Sequence, residues 1–227
     1  MAQEEAYKAA HEAEKALSVG GELGSLHGIP VSLKDIVETK GMRTTWGSAV
    51  FRNNIPQTEG PMVKRLKQAG AIIIGKTNTP ECGLSAFTEN KLANTRNPWN
   101  TEHTSGGSSG GAAAAVAAGI RPLAQGSDGG GSIRIPASLC GVFGLKPTNG
   151  RVPQHVHDWG ISHVSCLGPV TRNVRDAALM LNVIAEPDKS DYTCIRTPHP
   201  DYLKALDNKL KTLRIAWSLD LDYGLPV

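Results

Sequence analysis

Two glycine- and serine-rich blocks constrain this chain more than any other feature: Gly106-Gly107-Ser108-Ser109-Gly110-Gly111 and Asp128-Gly129-Gly130-Gly131-Ser132. Each sets a serine in backbone stripped of side chains, just ahead of a segment that reads as helical. Glycine permits tight turns and close main-chain approach. In such a turn successive N–H groups can converge on one point, which is what a tetrahedral oxyanion needs. A flexible linker has a similar composition. Linkers, however, do not sit between apolar strands and helices or lead directly into Ile133-Arg134-Ile135-Pro136. The chain holds 25 glycines, many of them between 106 and 150, which fits a site built from main chain.

The segments around these blocks predict an α/β fold, a mixed β-sheet flanked by helices. Ala2 to Leu17, rich in Ala, Glu and Lys, reads as a solvated helix that stops at Gly20-Gly21. Gly28-Ile29-Pro30 opens a strand over Val31 to Val37. Its alternation sends Val31, Leu33 and Asp35 one way and Ser32, Lys34 and Ile36 the other, so Lys34 and Asp35 do not form a natural ion pair. A helix over Pro61 to Ala69 and a buried strand over Ala71 to Ile74 follow. Thr77 to Ser105 is a long irregular stretch, of the kind that is usually functional inside a compact domain. Further elements are a small-residue helix over Gly110 to Gly119, a strand over Pro122 to Ser127 and a short helix or turn over Ser132 to Leu139. An amphipathic helix over Arg172 to Ile184 and a last strand over Thr212 to Trp217 complete the pattern.

A nucleophilic serine needs a base. Seven histidines are present, but His155, His157 and His163 cluster with Asp158 in a polar loop where solvation explains them. Lysine is the other option, provided its surroundings depress its pKa. Deprotonating an unperturbed lysine at neutral pH would cost roughly 4–5 kcal/mol, so the site must be dry. Lys34, alone on an otherwise apolar strand, is the best placed.

Read together, Gly28-Ile29-Pro30 through Lys34-Asp35, GGSSGG at 106–111, GSDGGGSIRIPASLCGVFGLKP at 126–147 and Gly150-Arg151-Val152-Pro153 resemble the amidase signature family. That family covers amidases, fatty-acid-amide hydrolases and the amidotransferase component that works on misacylated tRNA. The resemblance runs from about residue 5 to about residue 185. It implies Ser132 as nucleophile, Lys34 as base and Ser108, preceded by a cis peptide, as the bridge between them. It also implies an oxyanion hole on the main chain of Gly129, Gly130, Gly131 and Ser132, with no metal and no cofactor. A bridging hydroxyl lets a recessed lysine take the nucleophile's proton and return it to the leaving amine. Ser109 lends support, and Asp128 and Arg134 are expected to pair across the nucleophile loop. Cys140 reads as a buried, inert thiol.

Two motifs point elsewhere and are set aside. Gly70 to Thr77 satisfies the phosphate-loop pattern, but its middle is a buried strand and Asn78-Thr79-Pro80 prevents a following helix. Gly106 to Gly110 fits a G-x-S-x-G nucleophile elbow, which needs an apolar strand directly before it. Trp99 to Thr104 reads as polar and loop-like.

The formal net charge of +3 comes without a clustered basic patch, which argues against direct nucleic-acid binding. No apolar run approaches a membrane span, and the N-terminus lacks an apolar signal core. Four scattered cysteines fit reduced thiols, so a soluble cytoplasmic protein is the expectation, with a homodimer possible. The substrate expected is a small carboxylic amide. The alternatives are a component of a tRNA-dependent amidotransferase and a non-catalytic fragment or binding paralogue. One domain over 1–227 is expected, with a catalytic core over 28–185. Members of the family run to roughly twice this length, so the chain is expected to lack a C-terminal part.

Overall fold

Apolar β-branched runs form the centre of the molecule in a computed structural model that describes residues 3–154, 164–208 and 212–218. β1 (Pro30–Lys34) lies between β2 (Ile72–Thr77) and β5 (Leu123–Asp128), parallel to both. β7 (Cys166–Thr171) runs antiparallel to β5 along its whole length, and the two-residue β6 (Phe143–Gly144) closes that side. The order is therefore β2-β1-β5-β7-β6, a mixed five-stranded sheet. A separate hairpin pairs β3 (Arg96–Asn97) with β4 (Asn100–Thr104).

Each face of the sheet carries its own apolar cluster. Val31, Leu33 and Leu123 pack with Met62, Val63 and Leu66 of α2 (Pro61–Gln68) and with Met180, Leu181 and Ile184 of α5 (Val174–Ile184). Burying each of these large side chains contributes about 1.5–3 kcal/mol. On the opposite face Ala124, Val170 and Ile133 pack against Ala112, Ala113 and Val116 of α3 (Gly110–Ala117) and Cys140 of α4 (Arg134–Cys140). The small residues of α3 have a steric purpose. A β-carbon on Gly110 would collide with Thr88 and Ser105, and one on Gly111 with the Asn78 main chain. Strand alternation puts Val31 and Leu33 into the first cluster and leaves Lys34 to the α3 side.

Helix termini follow local chemistry. Asn173 accepts the Asp176 N–H at 2.9 Å, so α5 begins at Val174 rather than Arg172. α1 (Gln3–Val19) buries none of its residues, as its solvated composition predicts. The short α6 (Tyr202–Ala205) packs beside α5. No described helix is long and apolar enough to cross a membrane.

Several expectations are corrected. The first strand ends at Lys34, because the Val37 N–H turns back to the Lys34 carbonyl and Asp35 enters a loop. β2 continues past Ile74 through Gly75-Lys76-Thr77, so the phosphate-loop pattern lies largely in a strand. Asn100–Thr104 is a strand rather than a loop, although an exposed and polar one outside the main sheet. Central β7 was hidden by Gly168-Pro169. Pro169 gives its carbonyl to Leu145 on the β6 side, so its missing N–H falls toward the short edge strand and spares the β5 ladder. Residues 212–218 form no strand, and Leu213, Ile215 and Trp217 are 61%, 81% and 81% exposed. The histidine cluster at 155–163 lies outside the described residues.

Candidate active site

The parallel strands deliver their C-terminal ends to one place, where Lys34 ends β1 and Asp128 ends β5. Ser108 sits at the entrance to α3 and Ser132 just ahead of α4. Lys34 is completely buried, and its Nζ donates to Ser108 Oγ at 2.5 Å and to Ser127 Oγ at 3.0 Å. Burial pushes its pKa down to about 7, against the opposing pull of Asp128. An amine with such a pKa is partly neutral at neutral pH and so able to accept a proton. Asp35 turns elsewhere: its carboxylate accepts the Thr45 N–H at 3.0 Å and the Thr45 hydroxyl.

The peptide between Gly107 and Ser108 is cis. Thr88, fully buried, brackets this turn by donating to the Gly106 carbonyl and accepting the Gly110 N–H. Ser109 ties the two serine blocks together. Its Oγ bonds the Ser127 N–H and carbonyl, each at 3.2 Å, and its N–H donates to the Ser132 carbonyl at 3.0 Å. Ser132 is half-buried, and among the described residues its Oγ makes no hydrogen bond. The structure thus joins Lys34 to Ser108 directly, whereas the expected bridge from Ser108 Oγ to Ser132 Oγ is not formed among the described residues; the serine pair reaches Ser132 through the Ser109 N–H bond to its carbonyl.

Asp128 organises the loop that carries Ser132. It accepts N–H groups from Gly131 at 2.8 Å, Ile133 at 3.1 Å and Arg134 at 3.3 Å, and both prongs of the Arg134 guanidinium at 2.9 Å. Burial would raise this carboxyl, but the Arg134 and backbone bonds outweigh it and hold the pKa at about 2. Gly131 sits at φ 117°, where a side chain would be strained and would strike Ile135. Because the Gly131 N–H is committed to Asp128, the amides left without a protein partner among the described residues are those of Gly129, Gly130 and Ser132.

Asp128→Ala is expected to cost about 3–5 kcal/mol of stability, read as a lowered urea midpoint. The Arg134 side chain is 56% exposed, so its ion pair contributes little of this. The three orphaned N–H groups carry the loss, and Asp128→Asn, which keeps an acceptor, should lose less.

A roof covers the Lys34–Ser108 pair. Trp46 and Cys82 both adopt left-handed φ, 55° and 52°, and the Cys82 N–H donates to the Trp46 carbonyl at 2.7 Å. Strained non-glycine backbone of this kind concentrates at functional sites. A β-carbon on Gly83 would stand 3.6 Å from Ser108 Oγ and 3.9 Å from Lys34 Nζ.

Sequence reasoning missed Ser127, Gln125 and Thr88 as parts of the site. The available signal was a pair of polar residues, Gln125 and Ser127, at alternate positions of a buried strand. Cys140 is buried, with its thiol pushed up to about 11 by that burial, and is chemically quiet. Lys76, whose position in the phosphate-loop pattern would aim it at a nucleotide, instead donates to the Val37 carbonyl and to Thr44 Oγ1.

Comparison with known proteins agrees with this architecture. The family model described as Amidase matches residues 1–226. An acylamidase of Rhodococcus erythropolis is 45% identical over 222 residues, covering 97% of this chain and 46% of the relative. The A-subunit of the glutamyl-tRNA(Gln) amidotransferase of Roseiflexus sp. (strain RS-1) is 47% identical over 212 residues, 93% of this chain and 44% of its own length. Among solved structures, a bacterial aryl acylamidase of the amidase signature enzymes superposes with a TM-score of 0.84 at 36% identity. That match covers 89% of this chain and 43% of the other. The peptide amidase of Stenotrophomonas maltophilia gives 0.82 at 36% identity, over 90% and 44%. The chain therefore spans less than half the length of these relatives. A match to the family model over nearly every residue, together with one shared fold, makes this chain a member of the amidase signature family.

Proposed function

We propose that the protein hydrolyses a small carboxylic amide through an acyl-enzyme on Ser132, with Lys34 as base and Ser108 as relay. The observation that carries this reading is the buried Lys34 amine, lowered to about 7 and bonded to Ser108 Oγ at 2.5 Å. Ser132 Oγ attacks the amide carbonyl carbon while its proton passes to Ser108 Oγ, and the Ser108 proton passes to Lys34 Nζ. The oxyanion is held by the amides of Gly129, Gly130 and Ser132, and Gly131 keeps the loop in shape through Asp128. The C–N bond then breaks, and the proton returns through Ser108 to the departing amine. Water attacks the resulting ester by the same relay, releasing the acid and restoring Ser132.

A fluorophosphonate tests this directly, because it traps an activated serine without needing the right amide. One phosphonyl group per chain is expected, mapped by peptide mass spectrometry to Ser132. An adduct on Ser108, or none on any serine, overturns the assignment.

The similarity to the Roseiflexus amidotransferase component favours a second reading, in which ammonia released at this site passes to an activated acyl group on tRNA. Purification from the native cell separates the two readings: an amidotransferase component emerges in a complex with companion chains, whereas a hydrolase emerges without them.

A further inference from the structure

The ladder between β1 and β5 is short. Its paired residues are Val31 with Leu123 and Ser32 with Ala124, and beyond them the strands part. At Lys34 the main-chain N–H no longer meets a backbone carbonyl of β5. It donates instead to the side chain of Gln125, whose Oε1 accepts at 3.1 Å. The other end of the same carboxamide donates through Nε2 to the Gly126 carbonyl at 2.5 Å. Gln125 is fully buried and among the largest buried side chains in the protein, yet both its polar atoms are satisfied. A buried carboxamide is costly unless bonded in this way, and an aliphatic side chain would suffice for packing alone.

The position of the carboxamide matters. It reaches from β5 to the Lys34 main chain two residues before Ser127, and the Lys34 side chain in turn reaches Ser127 Oγ and Ser108 Oγ through Nζ. We propose that Gln125 is a positioning residue for the base: it stands in for the missing ladder bond, holds the Lys34 main chain, and so sets where Nζ meets Ser108 and Ser127. This inference rests on the reading of Lys34 as base. The charged group that acts on Lys34 is Asp128 at the end of β5. From the neighbouring elements, Lys76 on β2 is engaged with Val37 and Thr44, and Glu81 of the roof accepts from Ser48 Oγ at 2.6 Å.

Gln125→Leu keeps the bulk and removes the acceptor, whereas Gln125→Glu, neutral when buried, keeps an acceptor oxygen for the Lys34 N–H. Gln125→Met is the softer apolar variant if the leucine fails to fold. The readouts are kcat and KM for amide hydrolysis, and the titration of Lys34 followed by NMR of 13C-labelled lysine. The apolar variants are expected to lower kcat by about 10²-fold with little change in KM, as a misplaced catalytic group does. They are also expected to shift the Lys34 titration upward as Nζ gains water. The glutamate variant should recover most of the wild-type kcat when the two are compared at the same neutral pH. An unchanged Lys34 titration in the apolar variants, or a glutamate variant no better than they are, overturns the proposal. The titration is readable without turnover. If the wild type hydrolyses no amide while the apolar variants still displace the Lys34 titration, the catalytic reading falls and the positioning role stands.

Discussion

Lys34→Met will give a protein that is more stable at neutral pH and slower by at least about 10³-fold in amide hydrolysis. Both effects come from the same burial. The folded chain holds the Lys34 pKa at about 7, whereas the unfolded chain returns it to 10.5. Between those values the unfolded state binds more protons than the folded one, so stability rises with pH from about 7 to about 10. Below pH 7 both states are protonated and the full cost is present. At pH 7 the burden is roughly 4 kcal/mol, at 1.36 kcal/mol per pKa unit. Methionine removes it but also forfeits the bonds to Ser108 and Ser127, each worth about 1 kcal/mol. A net gain of about 1–3 kcal/mol at pH 7 is expected, in line with apolar replacement of other buried ions. Urea unfolding at pH 6, 7.5 and 9 checks it: the wild type should climb with pH from about 7, whereas the variant should show only the later and smaller rise from buried Lys76, whose pKa is lowered to about 8. A variant that tracks the wild type would mean that Lys34 is not buried as a strained cation.

The serines should separate by role. Ser132→Ala is expected to abolish acyl-enzyme formation, leaving no fluorophosphonate adduct and no burst of amine release. Ser108→Ala removes the hydroxyl that Lys34 touches and should lower kcat by about 10³-fold while leaving Ser132 slowly reactive. Ser109→Ala touches neither Lys34 nor the nucleophile's oxygen. It deletes the bridge to the Ser127 main chain but keeps the Ser109 N–H bond to the Ser132 carbonyl. A loss of about 1–2 kcal/mol in stability with a modest fall in kcat is expected. If Ser109→Ala proved more damaging to kcat than Ser108→Ala, the relay would run through the wrong hydroxyl.

Much of this was readable before any coordinates. The glycine blocks do border the site, Lys34 does turn away from Asp35, and Asp128 and Arg134 do pair. These features depend on local alternation, local turns or a residue pair six positions apart. What escaped depends on tertiary context. β7 holds Gly168 and Pro169, which mark a loop unless one knows that the proline's bare nitrogen faces a two-residue edge strand. Asn100–Thr104 pairs as a strand because a partner, β3, lies beside it, not because its polar residues favour one. Gln125 and Ser127 become part of the site only because β1 and β5 diverge where they do, and divergence has no sequence pattern. The commitment of the Gly131 N–H to Asp128 likewise appears only once the loop is closed.

The parallel pairing of β1 with β5 also times when the chemistry becomes available. Lys34 and Ser127 stand 93 positions apart in the chain, and parallel strands cannot meet until everything between them has been laid down. Until then Lys34 stands in water as an ordinary ammonium ion, already protonated and unable to accept a proton. On the proposed reading, a nascent or partly unfolded chain therefore carries Ser132 unactivated. In the proposed mechanism Ser132 is therefore switched on by the closing of the sheet itself, which confines acylation to folded molecules.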